Sequence, residues 1–261
     1  KLGCDVIWGP TGGIALSSKN NFMEILRNLF VKISILTKNF KMTKKLSNYI
    51  FVFDNSKIRD DQIALSESAF DIHSTIVEKN KTDFNILFAG HYNYRKGFET
   101  YIAIVNYFNN TNILSSANSF SALNFLSIGS GPLSNLAPDF LQKYDYMDRE
   151  SFLNFLKCDI NVLLITSIRE GMPQVVVEAI NNNVLVISSD VGSIKNFVLP
   201  EMLFSIHNEN LFIDNVIKKL IDIYNKPEDF NRLLSAQKKF ASVNSWSHKV
   251  KVINDAYNKT L

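Results

Sequence analysis

From Phe84 onward, strand-length apolar runs alternate with helix-length amphipathic stretches, and this alternation constrains the fold more than any other feature of the chain. Strands are predicted at 85–90 (NILFAG), 123–128, 142–146, 160–165 (INVLLI), 184–188 (VLVIS) and 202–205. Helices are predicted at 98–109, 149–157, 174–182, 210–225 and 228–241, with a short one at 133–140. Strands and helices in this order build βαβ units and a parallel sheet. INVLLI is almost continuously apolar, as expected of a strand covered on both faces. The expected fold class is therefore α/β: a Rossmann-like parallel sheet with helices on both faces, plus a partial N-terminal α/β segment.

Residues 1–82 hold too few strands for a second domain of the same kind. Strands are predicted at 5–8 and 49–53, with the glycine-rich turn GPTGG at 9–13 between them. That turn lacks the Gly-Lys-Ser/Thr ending of a phosphate loop and reads as a tight turn. Phe22, Leu26, Leu29, Ile33 and Leu36 recur at helical spacing within 21–36, and Lys38, Lys41, Lys44 and Lys45 follow. Two readings of residues 22–45 stand. They form a helix packed on its own domain with a solvated lysine face, the commoner case, or a peripheral contact to anionic lipid, each cation contributing about 1 kcal/mol near the surface. A helix is expected over 55–68 and a linker over 71–83. The chain opens on Lys1 and enters a strand within a few residues, which suggests that upstream sequence is missing. The expected division is 1–82, a partial N-terminal segment; 83–241, the Rossmann-like domain; and 242–261, a final helix beginning at Ser245 and packing back on the N-terminal segment.

The totals exclude several functions. A net charge of +3 and a pI near 8.7 fall short of the basic footprint of a nucleic-acid-binding domain. Cys4 and Cys158 stand far apart, so neither a disulfide framework nor a zinc site is expected. No run of 18 apolar residues is present, and no signal peptide is expected. A cytoplasmic location fits, with the inner membrane face as the peripheral alternative.

Ligands of open α/β sheets bind beyond the carboxyl ends of the strands, which directs attention to three loops. The first is Gly90-His91-Tyr92-Asn93-Tyr94-Arg95-Lys96-Gly97, which sets two adjacent cations between glycines. The second, Gly129-Ser130-Gly131-Pro132, lacks the third glycine of a dinucleotide fingerprint, because Ser134 stands there. The third is REGMPQVVVEA at 169–179. Pro173 suits the first position of a helix, which makes Met172 the expected N-cap. Methionine offers no capping oxygen, so the helix N-terminus can hold an anion or be satisfied by water. A lysine and a helix N-terminus converging on one crevice suit a diphosphate. A carboxylate one and a half turns into the helix can accept both hydroxyls of a ribose.

FAGHYNYRKGFETYI, LSIGSGPL, the strand before REGMPQVVVEA, and SSDVGSIKNFV occur in the order and at the spacing of family-4 retaining glycosyltransferases of the GT-B fold. The resemblance covers roughly 83–240, and Glu170 with Glu178 reproduces that family's Glu-x7-Glu pattern. It implies the donor half of a GT-B enzyme, of hexosyltransferase type, that moves a sugar with retention in polysaccharide or glycolipid synthesis. The implied donor is a UDP-sugar, with a GDP-sugar as the alternative, and the implied acceptor is a sugar or lipid-linked saccharide. No metal cofactor is implied. Lys96 is implied on the diphosphate, with Glu170 near the sugar hydroxyls and Glu178 on the ribose. Gly171, Met172, Pro173 and Gln174 are implied to offer backbone groups to phosphate and sugar, and Tyr146 and Met147 to contact the base. Gly90 and His91 belong to the implied donor site. His91 stands where the family usually has an arginine, which leaves Arg95 as the candidate substitute. Asn181 to Asn183 replace the usual small-residue and glycine end of the helix.

Rival readings compete with this one. A retaining glycoside hydrolase needs carboxylates ~5.5 Å apart, whereas eight largely helical steps separate Glu170 from Glu178 by roughly 10 Å. A nucleotide-sugar-binding module, inactive by itself, remains the alternative from another class.

Overall fold

The computed structural model describes residues 7–8, 49–52, 62–64, 83–111 and 122–258. Among the described residues, nine strands fall in two sheets. The smaller contains β1 (Ile7–Trp8), β2 (Tyr49–Val52) and β3 (Gln62–Ala64), all parallel. β3 corrects the helix expected over 55–68. Gln62, Ile63 and Ala64 pair with Ile50, Phe51 and Val52, and ladder bonds to a neighbouring strand override a weak local preference. The predicted helix at 21–36, the GPTGG turn, the basic stretch to Lys45 and the linker lie outside the described residues.

The larger sheet is built from β4 (Asp83–Ala89), β5 (Ala122–Ile128), β6 (Gln142–Tyr144), β7 (Val162–Ile165), β8 (Leu185–Ser189) and β9 (Leu203–Phe204). Its strand order is β6-β5-β4-β7-β8-β9, and every pair is parallel. Numbered from β4, this is the 3-2-1-4-5-6 order of a doubly wound sheet. Right-handed crossovers running outward from β4 and then from β7 put helices on both faces. β7 and β8 are wholly buried, as the INVLLI pattern predicts for β7.

The helices are α1 (Phe98–Asn110), α2 (Arg149–Asp159), α3 (Gln174–Asn181), α4 (Glu209–Asn225), α5 (Pro227–Ser242) and α6 (Trp246–Asn258). The expected helix at 133–140 is only a 3-10 turn at Ser134–Leu136. Asp148 and Asn208 cap α2 and α4 by accepting from Ser151 N and Leu211 N. At the end of α3, Asn183 adopts φ 59, the left-handed conformation that asparagine tolerates better than most residues. Val184 N can then donate to Ala179 O and lead straight into β8. Asn183 thus takes the place of the usual glycine. The N-terminal partner expected for α6 lies outside the described residues.

Aromatic rings pack beneath the loop that follows β4. Tyr92 stacks on Phe98 at 4.0 Å, and Phe88 lies 5.2 Å from Phe98 and 5.1 Å from Tyr101. The Tyr101 hydroxyl donates to Leu126 O at 2.8 Å, and burial pushes it well above the ordinary tyrosine range. On the other side of the sheet order, β9 pairs only with Ser188 and Ser189 of β8. Gln237 of α5 supplies partners where that ladder stops: its Oε1 accepts from Val186 N at 2.9 Å, and its Nε2 donates to Val184 O at 3.1 Å. Both backbone groups are buried and cannot turn to water instead. Gln237→Leu should therefore destabilise the protein by roughly 2–4 kcal/mol, the cost of stranding two buried polar groups. The midpoint of urea unfolding measures this, with the neighbouring exposed Lys239→Ala expected to leave it nearly unchanged.

Candidate functional site

The strand order reverses between β4 and β7, and the loops leaving their carboxyl ends lie side by side. They are stitched together through backbone atoms. Ile168 N donates to Arg95 O at 2.9 Å, and the Thr166 hydroxyl lies 2.8 Å from Gly97 O and 3.2 Å from Lys96 O. Gly97 has φ 68, and a Cβ there would meet Thr166 O at 1.9 Å. Only glycine permits both that conformation and so close an approach. Asn93 completes the loop from the other end, its side chain accepting from Lys96 N at 2.9 Å.

This stitching brings two of the predicted residues into direct contact. Lys96 Nζ donates to Glu170 Oε1 at 2.6 Å across the reversal point. Glu170 is 7% exposed. The Ser167 hydroxyl donates to the same oxygen at 2.7 Å, while Arg95 lies 3.7 Å from Oε2. Ser167 is held in turn by Ser189, whose hydroxyl donates to Ser167 O at 2.6 Å. The loop after β8 closes over the back of the site: Ser193 N donates to Gly171 O at 2.9 Å, and a Cβ on Gly192 would meet the carbonyls of Glu170 and Gly171 at 2.3 Å.

Helix α3 begins at Gln174, where the predicted span starts, but its N-cap stands one residue later than expected. Pro173 is the N-cap, with φ −68 and ψ 125, and its carbonyl accepts from Val176 N. The extended ψ keeps Pro173 outside the helix although its φ would suit the first turn, and Met172, the expected cap, is buried in the core instead. The reason for the prediction survives the shift, because proline has no side-chain oxygen to offer the first turn either. Gln174 is exposed at the start of the helix.

Glu178 lies in the second turn of α3, 3.7 Å from Arg149 of α2, with the two side chains 21% and 81% exposed. Tyr146 projects from the loop before α2 at 90% exposure, and Met147 beside it packs against the core. Of Arg95 and His91, the structure brings Arg95 to the Lys96–Glu170 pair. His91 is exposed, and its carbonyl accepts from Asn93 N. Gly90 has φ 153 and its N–H donates to Ile128 O, joining the ends of β4 and β5. Tyr92 N donates to Ser130 O, and its hydroxyl donates to Ser127 Oγ at 2.9 Å, with burial raising its pKa. Among the described residues, no group of three or more His, Cys, Asp or Glu side chains is placed to hold a metal ion, and no helix is long and apolar enough to cross a membrane. A hollow between α1 and α4, lined by Tyr107, Asp214, Ile217 and Lys218, contains none of the predicted site residues.

A model of the family described as "Glycosyl transferases group 1" matches residues 70–240, more than half of the chain. The chain belongs to the group 1 glycosyltransferases. No curated protein matches it closely enough to stand as a relative. Several solved structures share its fold. The apo form of the lipopolysaccharide outer core galactosyltransferase WaaB is 14% identical with a TM-score of 0.56, and 83% of this chain covers 63% of that one. The pneumococcal O-GlcNAc transferase GtfA in complex with UDP and GlcNAc is 15% identical with a TM-score of 0.56, at 85% and 46% coverage. TarM is 16% identical with a TM-score of 0.60, at 84% and 46%. This chain thus spans between 46% and 63% of the length of these structures.

In this group 1 glycosyltransferase chain, sequence reasoning missed Ser167, Ser189 and Arg149. Ser167 left a signal, since Ser-x-x-Glu is the spacing at which a hydroxyl and a carboxylate meet in a local turn. Ser189 and Arg149 left none, because their partners are remote in sequence. Gly97→Ala should lower stability by at least about 2 kcal/mol, from left-handed strain together with the clash on Thr166 O. Thermal unfolding tests this against Lys239→Ala, at an exposed position of α5.

Proposed function

We propose that this chain supplies the donor-binding part of a retaining glycosyltransferase that takes its sugar from a nucleoside-diphosphate sugar. The observation that carries the reading is the contact of Lys96 with buried Glu170 at the point where the strand order reverses, in a chain of the group 1 family. It sets a cation and a carboxylate at one crevice mouth. The cation suits a diphosphate, and the carboxylate suits sugar hydroxyls. Arg95, 3.7 Å from Glu170 Oε2, is in position to serve as the second phosphate cation in place of His91. The start of α3, from Gly171 to Gln174, adds the positive end of a helix dipole. Glu178 would accept from the ribose hydroxyls, and Tyr146 and Met147 would flank the base.

Transfer breaks the bond between the anomeric carbon and the diphosphate oxygen and forms one from that carbon to an acceptor hydroxyl oxygen, whose proton passes to the leaving diphosphate or solvent. Negative charge gathers on the leaving phosphate as the bond breaks. Lys96, Arg95 and the α3 N-terminus would stabilise it, electrostatic stabilisation that is strongest where water is excluded. Charge is handled by these protein groups, without a metal. A UDP-sugar is the favoured donor and a GDP-sugar the alternative; GtfA, which shares the fold, was solved with UDP and GlcNAc. The acceptor is proposed to be a sugar or a lipid-linked saccharide, which would place the protein in polysaccharide or glycolipid synthesis at the cytoplasmic side of a membrane.

Lys96→Ala in the longest natural form of the protein should lower the rate of sugar transfer by about 10² to 10³, the usual cost of removing one such stabilising contact. Chelation by EDTA should leave the rate unchanged. An unaltered rate in the lysine variant would sink the assignment. Retention is tested by the anomeric configuration of the product in its NMR spectrum. Titration with UDP that shows binding, together with no transfer by the longest form, would assign the chain as a nucleotide-sugar-binding module.

A further inference from the structure

The contact between Lys96 and Glu170 sets two ligands in competition. Glu170 Oε1 already takes the Lys96 ammonium at 2.6 Å and the Ser167 hydroxyl at 2.7 Å, and Arg95 stands 3.7 Å from Oε2. A diphosphate that claims Lys96 and Arg95 must draw them away from this carboxylate. At 7% exposure, Glu170 has little water to replace them, and a buried carboxylate stripped of its cation is strongly disfavoured. A nucleoside diphosphate makes the deficit worse, because its phosphate oxygens only accept hydrogen bonds and add negative charge nearby. A sugar on the diphosphate reverses the balance, because its hydroxyls donate and can satisfy the oxygens that the cations leave.

We propose that Glu170 is an internal competing anion, which makes the site select an intact sugar nucleotide over the nucleoside diphosphate left behind after transfer. This rests on the donor-site reading above and adds to it a role in discrimination and product release. With the sugar bound, Glu170 is satisfied by hydroxyls and the cations serve the diphosphate. Once the sugar has departed, Glu170 reclaims Lys96 and weakens the hold on the remaining diphosphate. Ser167, anchored by Ser189, keeps one donor on Glu170 throughout and fixes the carboxylate where both partners can reach it.

Isothermal titration of the full chain tests this. The probes are UDP and GDP on one side, and UDP-glucose, UDP-galactose, UDP-N-acetylglucosamine and GDP-mannose on the other. Glu170→Gln keeps an acceptor for Lys96 and Ser167 but removes the charge, and Glu170→Ala removes both; circular dichroism establishes that each is folded. In either variant the nucleoside diphosphate should bind at least about tenfold more tightly than in the wild type, as expected when one charge a few ångströms from a partly buried anion is removed. The sugar nucleotide should bind equally or more weakly, so that the preference for it collapses. If the wild type binds UDP or GDP and neither variant tightens that binding, the competing role is wrong while the donor-site reading stands. If the wild type binds none of the six nucleotides, the donor-site reading fails and this inference fails with it. A wild type that binds only sugar nucleotides, with variants that gain binding of the diphosphate, supports it.

Discussion

The site depends on the pairing of β4 with β7, where the strand order turns back on itself. Crossovers leave these two strands in opposite directions, so no helix covers the gap above their carboxyl ends and a crevice opens there. The two loops that border it would drift apart if only their strands held them. They do not, because Arg95, Lys96 and Gly97 give their carbonyls to Ile168 and Thr166. That seam converts two remote segments into one surface.

On this surface the chain concentrates charge that it could have kept in water. A carboxylate buried to the extent of Glu170 is tolerated only when cations and hydrogen-bond donors meet it, and Lys96, Ser167 and Arg95 do so. The layers around it are arranged to hold them still. Stacking of Tyr92 on Phe98 supports the first loop from below, while Gly192 allows the loop after β8 to press against the backbone of Glu170 and Gly171. The loops that carry the pair are therefore held by backbone contacts on either side.

Remote parts of the domain show the same economy of polar groups. Gln237 extends the edge of β8 where β9 is too short to do so. Asn183 turns the chain out of α3 with a left-handed residue that is not glycine, allowing β8 to start at once. The seam, the Gln237 clasp and the Asn183 turn all lie next to β7 and β8, the most deeply buried strands. The candidate site is thus carried by the most deeply buried part of the sheet.

Much of this was legible in the residues. Periodicity located the strands and helices from β4 to α5, apart from the helix expected at 133–140, which is only a 3-10 turn. INVLLI reads as a covered strand, and the loops carrying Lys96 and Glu170 followed from the rule that ligands bind beyond strand ends. Local pattern failed where long-range pairing decided the outcome. Residues 62–64 became a strand because β2 lay alongside, and Pro173 stayed outside α3 because of a ψ angle that its ring does not fix. The sequence by itself determined which groups could do the chemistry: a lysine, an arginine, two glutamates and a helix start with no capping oxygen. Only the tertiary structure decided that Lys96 and Glu170 meet, that Arg95 rather than His91 joins them, that Ser167 and Ser189 support the arrangement, and that Arg149 meets Glu178. A side chain's type is written locally, whereas its partner is chosen by strand order and loop packing over separations of many residues.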